Sequence, residues 1–286
     1  MRFGVIFKRN SNSALKAVEK LYDFLKNKKI ELYFDKKTEL NFSNINLIDE
    51  NKMPEIVDFI IVLGGDGTLL HTASLIKDQN VAIIGINQGK LGFLTETMTT
   101  EMEVLLNSVL DNKYEIEERC RLTIHVHTKT NRLIEREILN DISINSGIVA
   151  RIIELELYMN SKRITSYRAD GLIVSTPTGS TAYALSAGGP IIYPTLPITL
   201  ITPICPHTLT MRPLVLSSKE NIKIYVKGEN RDTYLTIDGQ ESVQITKDVE
   251  FIQVKSSENP IRLVKPLNRD YFDVLRDKLK WSGSSI

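Results

Sequence analysis

A glycine-rich turn that directly follows a continuously apolar run is the feature that most constrains this chain. Residues 59–63 are all apolar, and Gly64-Gly65-Asp66-Gly67-Thr68 follow at once. An uninterrupted apolar run predicts a strand that is buried on both faces, as in a parallel sheet covered by helices. Because a helix is predicted over residues 69–76, the turn lies at the carboxyl end of a parallel strand, where such sheets bind ligands.

The composition of this turn suits phosphate binding. Its glycines permit positive φ angles and let backbone N–H groups approach phosphate oxygens, and the start of the next helix adds a partial positive charge. The turn lacks the Gly-Lys-Ser/Thr ending of a Walker loop and the glycine spacing of a dinucleotide fingerprint. A carboxylate at Asp66 would repel a bare phosphate, so a substrate hydroxyl or a magnesium ion is its expected partner. The alternative is a tight strand-to-helix turn in which Asp66 caps the helix.

The first third of the chain alternates short β-rich runs with helical patterns. Strands are predicted over residues 3–7, 30–34 and 81–86, and a helix over residues 101–110. Ser13 is expected to cap a helix whose apolar positions recur every three or four residues, namely Leu15, Val18, Leu21, Tyr22 and Leu25. Residues 35–54 are polar and weakly patterned, and we expect a helix or a loop there.

After residue 112 the pattern changes to alternating, hairpin-like segments. These are predicted over residues 122–128, from residue 133 onward, over residues 152–159 and through residues 222–254. A helical pattern returns over residues 271–279. We therefore expect three parts: an α/β domain with a parallel sheet (residues 1–112), a mostly antiparallel, all-β domain (residues 113–265), and a C-terminal segment (residues 266–286) that packs on the first domain.

The overall composition excludes several classes of partner. With Lys+Arg 36 against Asp+Glu 35, the formal charge of +1 gives no general attraction to nucleic acid or to an anionic membrane. No apolar stretch approaches the roughly 20 residues of a membrane helix. The N-terminus has no long apolar signal core, and Cys120 and Cys205 lie far apart. We expect a soluble cytoplasmic protein with reduced thiols.

The turn at Gly64-Gly65-Asp66-Gly67-Thr68 resembles the signature shared by NAD kinases, diacylglycerol and sphingosine kinases, and phosphofructokinases. Three further segments resemble NAD kinases of the bacterial type in particular. Residues 85–95 look like that family's second glycine loop, and residues 170–190, rich in hydroxyls and small side chains, look like its longest motif. The third resemblance is a pair of short motifs, Asn140-Asp141 and Asp238-Gly239-Gln240, which by themselves are typical of turns.

The resemblance implies an activity and a set of site residues. Asp66 would be the catalytic residue, accepting a hydrogen bond from the adenosine 2′-hydroxyl of NAD and taking its proton as the γ-phosphoryl group of ATP arrives. The phosphate loop would consist of Gly64, Gly65, Gly67 and Thr68, and Phe93 would flank the adenine. The other NAD-binding residues implied are Asp66, Gly67, His71, Asn140, Asp141, Arg151, Arg168, Asp170, Thr178, Thr181, Ala182, Tyr183, Ala184, Leu185, Ser186 and Gln240.

The resemblance also implies cofactors and partners. Magnesium would arrive with ATP, with no metal site built by the protein alone. Some pocket residues would come from a neighbouring subunit, so a homo-oligomer, either a dimer or a tetramer, is expected. Whether NADH is also accepted and whether polyphosphate can replace ATP stay open, as do allosteric effectors.

Two rival functions stay open on the sequence. A lipid kinase of the diacylglycerol kinase class shares the glycine loop, but typically continues it with an Asn-Glu or His-Glu pair, whereas this chain continues Leu69-Leu70-His71-Thr72. A catalytically inactive NAD-binding regulator is the other rival, and the presence of Asp66 argues against it.

Three histidines need separate interpretation. His71 follows Asp66 by about one helical turn, so it either shares the pocket or lies on the helix surface. His125 and His127 point to one face of a predicted strand, which suits two metal ligands, but a third ligand is lacking in the sequence nearby. A solvated strand face is the better interpretation of that pair.

Overall fold

A computed structural model describes residues 1–9, 11–40, 42–89, 91–130, 133–147, 152–228, 232–266 and 268–281. The helices are α1 (Asn12–Leu25), α2 (Met53–Ile56), α3 (Asp66–Leu75), α4 (Met102–Leu110), α5 (Tyr183–Ser186) and α6 (Tyr271–Leu279). The strands of the first part are β1 (Arg2–Phe7), β2 (Glu31–Asp35), β3 (Ile45–Ile48), β4 (Phe59–Leu63), β5 (Ala82–Asn87), β6 (Thr97–Met98) and β7 (Ile116–Arg119).

The remaining strands lie between residues 122 and 264. They are β8 (Leu122–Thr128), β9 (Leu133–Ile138), β10 (Asp141–Ser146), β11 (Ile153–Met159), β12 (Lys162–Ala169), β13 (Gly171–Ser175), β14 (Ile198–Ile204), β15 (Leu214–Ser217), β16 (Ile222–Lys227), β17 (Thr233–Ile237), β18 (Glu241–Ile245), β19 (Val249–Ser256) and β20 (Ile261–Val264). Two short 3₁₀ turns lie at Glu50–Lys52 and Thr178–Thr181.

The chain divides into two compact units. Unit 1 comprises Met1–Glu118 and Ile261–Ile286, and unit 2 comprises Arg119–Pro260. The sequence prediction of an α/β domain with a parallel sheet, followed by a mostly antiparallel all-β part, is confirmed by the element order and pairing of the two units.

Unit 1 is built on one sheet with strand order β3-β2-β1-β4-β5-β20-β7, and β6 also pairs with β5. The pairs of β1 with β2 and β4, of β4 with β5, and of β5 with β20 are parallel. Every residue of β4 is buried, as its uninterrupted apolar sequence predicts. The glycine turn therefore follows the carboxyl end of a strand in the middle of the sheet.

Helix α1 begins two residues earlier than predicted. Its N-cap is Ser11, whose hydroxyl accepts the backbone N–H of Ala14, so the expectation that Ser13 caps this helix is wrong. The buried stripe consists of Ala14, Ala17, Val18, Leu21 and Leu25, whereas Leu15 is exposed. Two alanines allow the helix to lie close to the sheet, a contribution that a search for large apolar residues overlooks.

The weakly patterned segment of residues 35–54 contains a strand that was not predicted. Strand β3 pairs in parallel with β2 at the edge of the sheet, and none of its four residues is fully buried. An edge strand of four partly exposed residues needs no alternation of apolar and polar positions, which explains why no strand was predicted here.

The chain returns to unit 1 after residue 260. Strand β20 pairs with β5, and α6 begins with a capping box in which Asp270 and Asp273 each accept the other's backbone N–H. The helix predicted over residues 271–279 is confirmed at both ends.

Unit 2 consists of two six-stranded sheets. Their strand orders are β15-β14-β13-β10-β17-β18 and β12-β11-β16-β19-β8-β9, and the strand pairs described are antiparallel. One hydrophobic core takes side chains from both sheets, among them Ile142, Leu172 and Leu235 from the first and Ile124, Leu157 and Ile252 from the second.

In the part of the chain that the structure describes, no helix is long and apolar enough to cross a bilayer.

Candidate active site

The glycine turn joins β4 directly to α3. The N–H of Gly64 donates to the carbonyl oxygen of Ile86 on the adjacent strand at 3.0 Å, which keeps the turn in line with the sheet. Gly65 is the N-cap of α3 in an extended conformation, and Asp66 is the first helical residue. The helix therefore starts three residues before the predicted position, and Asp66 is not its cap. The N–H of Thr68 donates to the carbonyl of Gly65 at 3.0 Å, and Gly67 is exposed at the helix start.

The carboxylate of Asp66 holds the second glycine loop. Its Oδ1 accepts the backbone N–H groups of Leu94 and Thr95, each at 3.0 Å, and the Thr95 hydroxyl at 3.0 Å. Its Oδ2 accepts the N–H of Phe93 at 2.8 Å. Four donors thus fix the side chain of Asp66, and the two loops that the sequence singled out separately form one structure.

The hydroxyl of Thr95 is itself oriented by a neighbour. The side-chain N–H of Asn87 donates to Thr95 Oγ1 at 2.7 Å, which leaves the Thr95 proton to point at Asp66. Asn87 Oδ1 accepts the N–H of Gly89 at 2.8 Å. Because Asn87 and Thr95 are both buried, this chain of bonds is protected from exchange with water.

Gly92 is required by the position of Asp66. A Cβ atom at residue 92 would overlap both Asp66 Oδ1 and the Thr95 hydroxyl. The close approach of backbone to carboxylate thus explains this glycine without any appeal to its torsion angles.

One acceptor position on Asp66 is not taken up. A carboxylate offers about four lone-pair sites, two on each oxygen. Oδ1 receives three bonds, whereas Oδ2 receives one from the described residues, and the residue is partly exposed. Oδ2 can therefore accept a further hydrogen bond from a ligand hydroxyl.

His71 lies on α3 but bonds away from Asp66. Its Nε2 is 3.5 Å from Oε2 of Glu50, which also lies 3.3 Å from the guanidinium of Arg9. Arg9 makes a second, shorter ion pair with the buried Asp35 at the end of β2. The described residues show no hydrogen bond between His71 and Asp66.

Phe93 occupies the turn that Asp66 holds. Its ring centroid is 5.6 Å from the ammonium of Lys278 on α6, a cation–π distance. At the other end of the same turn, the guanidinium of Arg269 donates to the carbonyl oxygen of Glu96. The C-terminal segment therefore contacts the second glycine loop within unit 1.

In unit 2, Asn140 and Asp141 are held by a third aspartate, Asp238. Its Oδ2 accepts the N–H of Leu139 at 2.9 Å, and its Oδ1 accepts the N–H groups of Asn140 at 2.8 Å and Asp141 at 3.1 Å. In return, the N–H of Asp238 donates to the carbonyl of Asp141 at 2.9 Å. The sequence marks Asp238 only as part of a short turn motif. The structure shows that its carboxylate also fixes the backbone of residues 139–141.

The local backbone explains the Asp-Gly pair. Asp238 and Gly239 both have positive φ angles, 47° and 65°, in the turn between β17 and β18. Such angles favour Asp and Gly in hairpin turns. Gln240 ends this turn and is exposed. Because Ile142 pairs with Ile237, the residues next to them, Asp141 and the turn that contains Gln240, lie at the same end of the sheet.

The long motif follows β13 and folds against Asn140. The N–H of Thr176 donates to the Asn140 carbonyl at 2.9 Å, and its hydroxyl donates to the Leu139 carbonyl at 2.6 Å. A Cβ at Gly179 would overlap the backbone of Asn140, so the chain passes this point only without a side chain. These contacts bring residues 139–140 and residues 176–179 together within unit 2.

The predicted site residues after Thr176 differ in burial. Thr178 is buried, and its hydroxyl oxygen has no hydrogen-bond partner among the described residues. The others form the 3₁₀ turn and α5 and range from buried Ala184 through partly exposed Thr181, Ala182 and Leu185 to exposed Tyr183 and Ser186.

Asp141 is 7% exposed and lies beside a second carboxylate. Burial and the negative charge of Asp238 raise the pKa of Asp141 to about 7, although the N–H of Tyr183 at the start of α5 opposes the shift. Burial also raises the pKa of Asp238, against three backbone hydrogen bonds and the charge of Arg121. Two interacting carboxyl groups, Asp141 and Asp238, thus lie in unit 2 at the Asn140-Asp141 segment that is predicted to bind NAD.

Asp170 directly precedes β13, at the opposite end of that strand from Ser175, and Arg168 lies on β12 in the other sheet of unit 2. Strand β13 runs from Gly171, next to Asp170, to Ser175, and Ser175 pairs with Asp141. At about 3.3 Å per residue, the steps from Gly171 to Ser175 separate the ends of this strand by roughly 13 Å. The two residues are therefore not grouped with Asn140, Asp141 and Thr178 in one chain. Arg151 lies outside the described residues.

The two histidines of β8 form a surface network. His125 Nε2 is 2.7 Å from Glu135 Oε2, and His127 Nε2 is 3.1 Å from Gln253 Oε1 and stacks on Phe251. Among the described residues, no group of three or more His, Cys, Asp or Glu side chains is arranged to hold a metal ion.

Two family models match the chain. One, described as the ATP-NAD kinase N-terminal domain, matches residues 3–114, and the other, the ATP-NAD kinase C-terminal domain, matches residues 139–266. Among curated relatives, the NAD kinase of Geotalea daltonii is 48% identical over 229 residues, which are 80% of each chain. That of Solibacter usitatus is 38% identical over 278 residues, 97% of this chain and 96% of the relative.

Solved structures of similar fold cover nearly the whole chain. Yeast NADH kinase complexed with NADH matches with a TM-score of 0.90 and 26% identity over 100% of this chain and 89% of that one. An NAD kinase from Archaeoglobus fulgidus in complex with ATP matches with a TM-score of 0.75 and 27% identity over 99% and 98% of the two chains.

Proposed function

The chain belongs to the ATP-NAD kinase family, and from this premise we propose that it transfers the γ-phosphoryl group of ATP to the adenosine 2′-hydroxyl of NAD. The activity is that of a phosphotransferase with an alcohol as acceptor. The relatives do not favour the lipid kinase or the inactive regulator. The observation that carries the proposal is the position of Asp66, which lies three residues after the buried strand β4 and is held by the second glycine loop. Its Oδ2 has an acceptor position left for a hydroxyl.

In this proposal Asp66 orients the hydroxyl and receives its proton. A carboxylate is too weak a base to remove a proton from an alcohol before transfer begins. Phosphoryl transfer passes through a loose transition state, so the proton moves late, when the hydroxyl oxygen has begun to bond to phosphorus. Fixing Asp66 with four donors means that the carboxylate does not have to reorganise during this step.

The glycine turn would bind phosphate through its backbone. The turn leads into the N-terminus of α3, whose helix dipole favours an anion, and Gly64 and Gly65 carry no side chains that would block a phosphate. Gly67 and Thr68 lie in the first turn of α3. We assign these four residues to the phosphates and His71 to the rim of the site on α3.

Magnesium would enter with ATP. This ion usually keeps several waters and binds through one or two carboxylates together with substrate phosphates. Asp66, a partly exposed carboxylate at the glycine turn, is the type of ligand that such an arrangement uses. When bound, the ion would neutralise charge on the phosphates.

In unit 2, the nucleotide would be bound by Asn140, Asp141 and the segment from Thr178 to Ser186. Two observations support this assignment: the Thr178 hydroxyl has no hydrogen-bond partner among the described residues, and Tyr183 is exposed. In addition, Asp238 and Thr176 fix the backbone of residues 139 and 140. Gln240 extends this set at the same end of the sheet. Phe93 is assigned to the adenine by family pattern.

We further propose that Arg168 and Asp170 act in a neighbouring copy of the chain, together with Arg151. Their support is the position of Asp170 directly before β13 and of Arg168 near the end of β12, away from Asn140 and Thr178 in the same chain. Mixing an Asp66→Asn variant with an Asp170→Asn variant tests this idea. If sites are shared, mixed oligomers regain part of the activity. An active monomer in light scattering under assay conditions would contradict it.

The test of the activity compares acceptors and donors side by side. Purified protein is incubated with NAD, NADH or diacylglycerol as acceptor and with ATP or polyphosphate as donor, and NADP, NADPH or phosphatidic acid is quantified. We expect NADP from NAD and ATP. Phosphatidic acid as the main product would support the lipid kinase, and tight NAD binding by calorimetry without any product would support the inactive regulator.

A further inference from the structure

A small cavity of unit 1 lies between helix α4 and the segment that joins β20 to α6. Its volume is about 140 Å³, and its lining includes Thr97, Glu101, Val104, Leu105, Pro266 and Arg269. A cavity of about 150 Å³ holds a ligand of the size of benzene, so this one suits a molecule of about six heavy atoms.

Arg269 brings unused hydrogen-bond donors to this cavity. Its Nη1 donates to the carbonyl oxygen of Glu96 and lies 3.6 Å from Oε2 of Glu101, which is too far for a hydrogen bond. Glu101 Oε2 instead accepts the backbone N–H of Met98 at 2.8 Å. Among the described residues, Nε and Nη2 of Arg269 have no partner. An arginine with these donors available can bind a carboxylate through two parallel hydrogen bonds.

Thr97 is a second polar residue of the cavity whose side chain lacks a partner. It begins β6, is 4% exposed and pairs through its backbone with Ile86. Its hydroxyl makes no hydrogen bond to any residue that the structure describes. Because a buried hydroxyl without a partner costs free energy, a ligand atom that bonds to it would be favoured.

The remaining wall of the cavity is largely apolar. Val104 is 60% exposed, although Leu105 and the other apolar residues of α4 are buried, and Pro266 adds a further apolar surface. The lining thus combines a cation, a hydroxyl and apolar side chains. A few polar groups in an apolar setting are typical of sites for small organic ligands.

We propose that this cavity binds a small organic acid, with the carboxylate on Arg269 and Thr97 and an apolar chain of about four carbons against Val104 and Pro266. The carboxylate of Glu101 opposes the binding of an anion, so it sets the affinity without blocking the donors of Arg269.

The proposed site is connected to Asp66 through Arg269. The carbonyl that Arg269 holds belongs to Glu96, and the preceding residue, Thr95, donates two hydrogen bonds to Asp66. An acid bound to Arg269 would fix its guanidinium on Glu96 and thereby steady the loop of residues 93–96. Binding itself does not depend on the proposed function.

A second cavity shares Arg269 but suits an anion less well. Its volume is about 450 Å³, and Lys113 and Lys265 also line it. Lys265 pairs with Glu115 at 3.0 Å, and Lys113 lies 3.6 Å from Asp111. Because both lysines already have carboxylate partners, we assign the acid to the smaller cavity.

The experiment measures the binding of butyrate, which has six heavy atoms, and of its neutral isostere butyramide by saturation-transfer NMR titration. The wild type is compared with Arg269→Met, Thr97→Val and Glu101→Gln, and Lys265→Met is the control from the second cavity. We expect the wild type to bind butyrate with a Kd on the order of 1 mM and butyramide about tenfold more weakly.

The variants should change butyrate binding in different directions. We expect Arg269→Met to weaken it about tenfold, Thr97→Val to weaken it about threefold, Glu101→Gln to tighten it, and Lys265→Met to leave it unchanged. Butyrate should also slow hydrogen exchange of the amides of residues 94–96 in the wild type but not in Arg269→Met. Thr97→Val covers the case in which Arg269→Met fails to fold, because valine replaces a hydroxyl that has no described partner.

Three results overturn the proposal. Equal affinity for butyrate and butyramide, or no saturable binding of butyrate, would mean that the cavity does not recognise a carboxylate. Unchanged butyrate binding in Thr97→Val together with a loss in Lys265→Met would place the anion in the second cavity. A lowered thermal midpoint in Thr97→Val would show that the hydroxyl already has a structural partner. These outcomes are read without NADP formation, so they stay distinct from a failure of the proposed function.

Discussion

Asp66 accepts both the backbone N–H and the hydroxyl of Thr95, each at 3.0 Å, although 29 residues separate the two in sequence. The residue proposed to receive the substrate's proton is therefore also the residue that holds the second glycine loop in place. A substitution at Asp66 changes chemistry and loop geometry at once, whereas a substitution at Thr95 changes only the hold on the loop.

Thr95→Val separates these two roles. Valine keeps the shape and the backbone N–H but removes the hydroxyl that bonds to Asp66 and accepts from Asn87. We expect unfolding free energy to fall by about 1–3 kcal/mol, since the Asn87 donor is left buried and unpaired. The rate of NADP formation should fall less than in Asp66→Asn. Denaturant titration and steady-state kinetics check both effects, and an equal loss of rate in the two variants would assign Asp66 a purely structural role.

Gly92→Ala places a methyl group where the carboxylate of Asp66 lies. Because the new Cβ would overlap Asp66 Oδ1 and Thr95 Oγ1, the carboxylate has to move and its bonds to residues 94 and 95 break. We expect a stability loss of about 1–3 kcal/mol together with a large loss of kcat.

Gly89→Ala is the matched comparison for stability, as its Cβ would come no closer than 4.0 Å to Asn87 Oδ1. Thermal unfolding of both variants should show a lowered midpoint for Gly92→Ala alone. A normal midpoint and normal kcat in Gly92→Ala would show that Asp66 is not held as described.

The hydroxyl of Thr176 joins two backbone segments of unit 2, at Leu139 and at Gly179. Thr176 is 0% exposed, donates to the Leu139 carbonyl and accepts the N–H of Gly179 at 3.1 Å. Thr176→Val is isosteric and leaves both partners without a bond, so we expect a loss of about 1–3 kcal/mol and a raised KM for NAD. Denaturant titration and kinetics with NAD as the varied substrate measure the two effects, and unchanged values of both would contradict the assignment.

The pKa of Asp141 gives a stability prediction with a definite sign. Because its folded pKa of about 7 exceeds the ordinary aspartate value of 3.8, the folded protein binds a proton that the unfolded chain has lost, and stability falls as the pH rises between these values. The contribution is fully present below the unfolded pKa and is lost by about pH 7.

Asp141→Asn removes this dependence. The amide resembles the protonated acid, and its oxygen can still accept the N–H of Tyr183. From pH 5 to pH 8 the wild type should lose on the order of 2 kcal/mol more than the variant. Urea unfolding at both pH values measures the difference. A wild type that gains stability over the variant across this range would show that Asp141 is charged in the folded state.

How much of this structure the sequence could predict depends on whether a feature is local. The buried run of β4 and the helix of residues 271–279 carry their own periodicity, and both were predicted. The stripe of α1 was predicted only in part, because Val18, Leu21 and Leu25 are buried whereas Leu15 is exposed. Strand β3 was missed because an exposed edge strand needs no apolar face. The cap of α1 was misplaced because Ser11 and Ser13 are chemically equivalent in the sequence.

The site was predictable as a set of residues but not as a set of contacts. Glycines at residues 64 and 92 mark close approaches, but nothing local shows that Asp66 bonds to the turn at Phe93. Asp238 looks like a turn residue, which it is, and its second role depends on backbone that lies 97 to 99 residues earlier.

The most direct test of the central claim is the rate of NADP formation by Asp66→Asn in a single turnover, with NAD binding measured separately by calorimetry. Removing a positioned proton acceptor lowers the rate by about 10²- to 10⁴-fold, and we predict a loss on that scale while NAD still binds. Near-normal turnover by this variant would contradict the account, because the carboxylate would then serve only to hold the loop of residues 93–95.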